Sequence, residues 1–140
     1  MTSEDLQRFH DELIGLGYIP AFSGAKKRLR STTDGVSIEV MTTGEFPGDV
    51  KPKPVSMPYP SEASIEIDGI KFVTLEKLIE LKLASGISAP DRLKDLADVQ
   101  ELIKIKRLDA AFAARLDPYV RAKYLELEVA VRNSESSQEK

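Results

Sequence analysis

The sequence predicts an α+β fold, and three observations predict it. Two Asp-Gly dipeptides, Asp34-Gly35 and Asp68-Gly69, each separate short runs of strand-forming residues, the usual mark of a tight hairpin. A proline-rich stretch from Thr43 to Ser61 carries neither helical nor strand periodicity. From Thr74 onward the apolar residues recur at helical spacing. A helix, then strands, then a run of helices gives a small mixed or antiparallel sheet with an N-terminal helix and a C-terminal helical cluster.

The first helix is expected from Ser3 to about Leu16. Thr2 or Ser3 caps it, Glu4 and Asp5 suit the positive end of its dipole, and Leu6, Phe9, Leu13, Ile14 and Leu16 form an apolar stripe that Gly15 and Gly17 then end. Strands follow at Tyr18–Phe22, Lys27–Thr32 and Val36–Thr42, the last two joined at Asp34-Gly35. Thr43–Ser61 holds five of the eight prolines and should be extended and semi-rigid around Gly48–Pro54. A second hairpin pairs Ser64–Ile67 with Ile70–Val73. Thr74 caps a helix that Gly86 ends, and a further helix runs from Asp91 to about Lys104. A short helix at Asp109–Arg115 precedes one from Pro118 to about Val131.

A chain of 140 residues suits one domain, drawn here over 1–132, with the wholly polar 133–140 as a disordered tail. With no cysteine, disulfides, thiol catalysis and Cys-type zinc sites are excluded, and a single histidine, His10, excludes multi-histidine metal sites. A net charge of −3 gives no bulk attraction for nucleic acid. No apolar run approaches the ~20 residues of a membrane span, and the acidic start does not read as a signal peptide. No membrane partner and a cytoplasmic location are the expectations.

Lys82 is the most informative residue. At ~100° per residue, Leu75, Leu78, Ile79 and Lys82 fall within an arc of roughly 100°, which puts a cation on an apolar stripe. It must snorkel, meet a carboxylate or meet an anionic ligand, because an unpaired buried ammonium is costly. On the next helix Asp91, Asp95 and Asp98 fall within an arc of ~60°: a solvated acidic face, or carboxylates lining a cleft. Arg92 and Lys94 beside them are suited to phosphates. Lys26-Lys27-Arg28-Leu29-Arg30 is a basic block whose Lys26, Arg28 and Arg30 share a strand face. It suits a polyanion such as RNA or triphosphate, or else a charged edge strand that resists aggregation. Glu39 shares its face with Ser37 and Met41, as the polar side of a half-covered strand or as a metal ligand on a central strand. His10 reads as a packed helix residue. No phosphate loop, zinc-ligand spacing or nucleophile elbow is present.

Two stretches carry a resemblance. TLEKLIELKLAS (Thr74–Ser85) followed by RLKDLADV (Arg92–Val99) resembles the C-terminal signature of nucleotidyltransferases of the AbiEii type, a helix with a lysine and then a helix of the R-x-x-D-x-x-D kind. GEFPGDVKPKP (Gly44–Pro54) and DPYVRAKYLEL (Asp117–Leu127) resemble a bacterial branch of the same proteins, so the likeness spans about Asp5 to Leu127. The resemblance implies that Lys82 contacts the phosphates of a nucleoside triphosphate, with Arg92 beside it. It also implies that Asp95 and Asp98 support the site as base or orienter, that Glu39 is a third carboxylate on the central strand, and that Mg²⁺ is the cofactor.

The sequence departs from the family at its catalytic segment. Nucleotidyltransferases of this fold open with Gly-Ser or Gly-Gly and then a strand carrying Asp-x-Asp, which holds the metal ions of phosphoryl transfer. Neither glycine dipeptide and no Asp-x-Asp occurs here. Thr2–Leu16 resembles the helix that follows the missing pair. Three expectations result: an enzyme seen without its N-terminal part, an inactive relative that binds nucleotide, RNA or a partner protein, or a subunit completed by another chain. The non-catalytic alternative is an interaction module, of the kind found in toxin–antitoxin pairs. An open sheet edge would invite a homodimer.

Overall fold

The computed structural model describes residues 1–138. It is a mixed α+β protein with an N-terminal helix, antiparallel sheets of three and two strands, and a C-terminal helical cluster. The chain gathers into two compact units, residues 1–45 with 57–59 and residues 46–56 with the remainder.

The N-terminal unit begins with α1 (Ser3–Leu13). Its start is a reciprocal cap: the Asp5 amide donates to Thr2 Oγ1 at 3.1 Å, and Thr2 donates back to Asp5 Oδ2. The helix stops three residues before the expected Leu16, because Gly15 and Gly17 both take φ of +90°. Strands β1 (Tyr18–Pro20), β2 (Arg28–Ser31) and β3 (Ser37–Glu39) form an antiparallel sheet in the order β1-β2-β3. Each is shorter than its apolar run suggested. The register sets Leu29 opposite Pro20 and Ile38, and Leu29 is fully buried. The basic block is therefore on the central strand, not an edge, and Glu39 is on an edge strand, not the central one. Sheet order depends on non-local pairing, which strand periodicity does not encode.

The second unit holds β4 (Ser64–Ile67) and β5 (Ile70–Val73), at the expected residues, joined through Asp68 and Gly69, both with positive φ. This pair is a separate ribbon, so the single sheet of the sequence reading is replaced by two. Three α-helices follow: α2 (Leu75–Ser88), α3 (Leu93–Lys106) and α4 (Pro118–Gln138), with a 3₁₀ helix at Ala110–Arg115 between the last two. Their shared core contains Ile79, Leu83, Val99, Val120 and Tyr124, all fully buried, with Val55 from the proline-rich segment. Burying each large side chain contributes about 2 kcal/mol.

Gly86 does not end α2. It lies within the helix, and a Cβ there would stand 2.4 Å from Leu96 Cδ2 of α3. Glycine here allows two helices to approach closely. The helix ends two residues on, at Ser88, and the amide of the C-cap Ala89 still reaches Ser85 O. Helix α3 starts later than expected, with Arg92 at the N-cap position and no side chain bonded to its first-turn amides, which leaves Asp91 outside it. Helix α4 continues through residues 133–138, which were expected to be disordered. The hydroxyls of Ser134, Ser136 and Ser137 fold back on carbonyls one turn earlier, so the polar residues bond to the helix itself. The last two residues of the expected tail lie outside the described ones.

The proline-rich segment is organised around one cation. Lys53 Nζ donates to Pro47 O at 2.8 Å, Asp49 Oδ1 at 2.7 Å and Lys51 O at 2.6 Å, and its side chain is 5% exposed. Gly48 lies directly on α2: a Cβ would meet Ser85 O at 2.8 Å, and its φ is +75°. The loop is thus held by an ammonium and a glycine contact as well as by its prolines.

Candidate functional site

Helices α2 and α3 present the densest group of charged side chains among the described residues. The packing that Gly86 permits brings the residue one turn before it, Lys82, against α3. Lys82 Nζ donates to Asp98 Oδ2 at 2.7 Å and to Asp95 Oδ1 at 3.2 Å. Arg92 Nε donates to Asp95 Oδ2 at 2.9 Å, and Ser85 Oγ donates to the same oxygen at 2.7 Å. Two cations, two carboxylates and a hydroxyl form one connected, formally neutral cluster.

The groups differ in exposure. Asp95 is buried, Lys82 and Asp98 are partly covered, and the Arg92 side chain is 55% exposed. Burial on its own would push the Asp95 carboxyl toward its neutral form. The bonds from Ser85, Arg92 and Lys82 outweigh that and hold it below the usual carboxylate range. Burial would likewise favour a neutral Lys82, but Asp98 and Asp95 outweigh it and raise the ammonium above its ordinary value. Asp95 is consequently a fixed anion and a weak proton acceptor at neutral pH. It orients its neighbours and is poorly suited to act as a base.

Of the residues singled out by sequence, the structure brings together Lys82, Arg92, Asp95 and Asp98. It does not add Asp91, which is exposed ahead of α3, nor Lys94, which is exposed on it. Glu39 belongs to the N-terminal unit and pairs with Arg28 at 3.2 Å. His10 is half-buried on α1 with Asp11 at 3.8 Å. Ser85 was missed, although its position three residues after Lys82 already places both on one face of α2. Lys53 was missed because nothing in local spacing reveals that a loop will close around its amine.

The carboxylates do not fit the Mg²⁺ ion that the resemblance implies. Both oxygens of Asp95 and one of Asp98 face cationic groups or a hydroxyl, and Glu39 faces Arg28. Among the described residues no three His, Cys, Asp or Glu side chains gather as a metal-binding group. Among the same residues no helix is long and apolar enough to cross a membrane. Against family profiles, characterised proteins and solved structures, the chain finds no match.

Proposed function

We propose that this is a nucleotidyltransferase-like protein whose α2–α3 cluster faces the phosphates of a nucleoside triphosphate, and that this chain by itself transfers no nucleotide. One observation carries the reading. Of the three positions that the resemblance places in one site, Lys82 lies within hydrogen-bonding distance of both Asp95 and Asp98, although Lys82 and Asp98 are 16 residues apart.

In this reading Arg92, the most exposed member, is the first to meet a phosphate. A triphosphate would draw Lys82 from one of its two carboxylates, and a bidentate guanidinium suits phosphate oxygens. Asp95, kept anionic, holds both cations in place between binding events. The missing Asp-x-Asp removes the metal-held charge on which phosphoryl transfer depends, a loss of many orders of magnitude in rate.

The test is an NMR titration of backbone amides with Mg²⁺-NTP. Shifts centred on Lys82, Arg92 and Asp95, abolished in Lys82→Ala, are expected. No shifts at millimolar nucleotide would reduce the cluster to a staple between two helices. Mg²⁺-dependent labelling of RNA, protein or the chain itself would overturn the assignment as inactive.

A second reading, an interaction module, is favoured by the β4–β5 ribbon. Its register puts Ile65, Ile67, Ile70 and Phe72 on one face, and each is 46–60% exposed. An uncovered apolar face on a two-stranded ribbon suits a partner strand or a second copy of the chain.

A further inference from the structure

The basic block of the N-terminal unit has no role in either reading above. An edge strand explains clustered cations as protection against aggregation, but β2 is flanked on both sides and needs none. Its pleat buries Leu29 and exposes Arg28 and Arg30. Directly opposed residues share a face, so the register gathers Ile19, Arg28, Arg30, Ser37 and Glu39 on one surface of the sheet.

That surface adjoins a groove of about 520 Å³ lined by Phe22, Lys26, Lys27, Arg28 and Glu39. Phe22, which shares this groove with the three cations, is 61% exposed, so its ring is open to a ligand. Lys27 is engaged by Glu45 and Thr42, and Arg28 reaches Glu39 at 3.2 Å with both side chains more than half exposed. Among the described residues Lys26 and Arg30 meet no carboxylate. Two free cations, a third in a solvent-screened pair and an open aromatic ring lie along one strand and the loop before it.

We propose that this face binds single-stranded RNA, two or three nucleotides at a time. An exposed ring offers a base a stacking platform that any base can use, and a basic track beside it follows the backbone. Arg28 and Arg30 are about 7 Å apart along the strand, a spacing that successive phosphates of an extended strand match. Ser37 and Glu39 on the neighbouring strand supply oxygens for the ribose 2′-hydroxyl, the group that separates RNA from DNA. None of it depends on the α2–α3 cluster.

The experiment is fluorescence anisotropy on the full chain with a short labelled oligouridine, the DNA oligomer of the same sequence and an acidic peptide. RNA binding is expected to weaken with salt along a log–log slope of about −2, the value for about three phosphates on a single strand. Phe22→Ala should weaken binding about tenfold. Arg30→Ala should reduce the slope by about 0.7. Both side chains are exposed, and an unchanged thermal melt verifies that the variants fold. Amide shifts on adding RNA should fall on residues 22–30 and 37–39. Equal binding of DNA, preferential binding of the acidic peptide, indifference to both substitutions, or shifts confined to α2 and α3 would each overturn the proposal. The nucleotide titration reads different amides, so either reading can fail alone.

Discussion

Asp95 is the residue on which the α2–α3 cluster depends, since it alone contacts Lys82, Arg92 and Ser85. Replacing it with asparagine leaves Lys82 with Asp98 but removes the charge that both cations share. A cost of about 2 kcal/mol is expected, in the range of hydrogen bonds to charged groups. The pH dependence has a definite sign. The carboxyl is held below its unfolded value of 3.8, so its stabilisation is present above that pH and disappears as pH falls through the lower folded value. Lys82 is raised above 10.5, so its contribution is present below that pH and lost as pH rises through the folded value. Denaturant midpoints measured from pH 6 down to pH 2 should therefore fall less steeply for Asp95→Asn than for the parent. Parallel curves would show that the cluster contributes nothing to acid stability. Lys82 was legible as an anomaly because a cation on an apolar stripe violates a local rule. Its partners were legible only as candidates, because the angle between two helices is a tertiary property.

At the scale of elements, local chemistry was readable and packing was not. Asp68-Gly69 fixed a hairpin to the residue, since a two-residue turn with positive φ at both positions leaves few alternatives. Thr74 marked the start of α2 for the same reason: its Oγ1 accepts from the Lys77 amide. Gly86 was misread because glycine has two uses, and only the position of Leu96 shows that close approach is the one employed. The β4–β5 ribbon permits a test at this scale. If its apolar face takes a second copy, sedimentation should show a concentration-dependent dimer that Phe72→Lys abolishes while the helical content is retained. A monomer at every concentration excludes self-pairing and leaves a different partner for that face.

At the scale of the whole molecule, the buried side chains are unevenly shared. The large cluster lies within the unit that contains α2, α3 and α4, whereas the N-terminal unit buries Ala25, Leu29, Val40 and Thr42. Helix α1 has no buried residue at all. Local opening follows the density of buried apolar contacts. Amides of α2, α3 and the first half of α4 should accordingly exchange slowest, those of β1–β3 faster, and those of α1 and the open β4–β5 ribbon fastest. Equal protection in both units would mean that they unfold as one. Periodicity in the sequence assigns elements to faces but does not say which faces share a core, so this division was not legible there.

Lys53 has a use of its own. Its amine gives three hydrogens to three oxygens and is covered by the chain, while Lys51, two residues away, is open to solvent. An acylating reagent reaches an enclosed amine only when the loop lets it go. The ratio of modification rates at these two neighbouring lysines is thus an internal clock for the opening of the proline-rich segment, calibrated by a residue of the same chemistry on the same strand of chain.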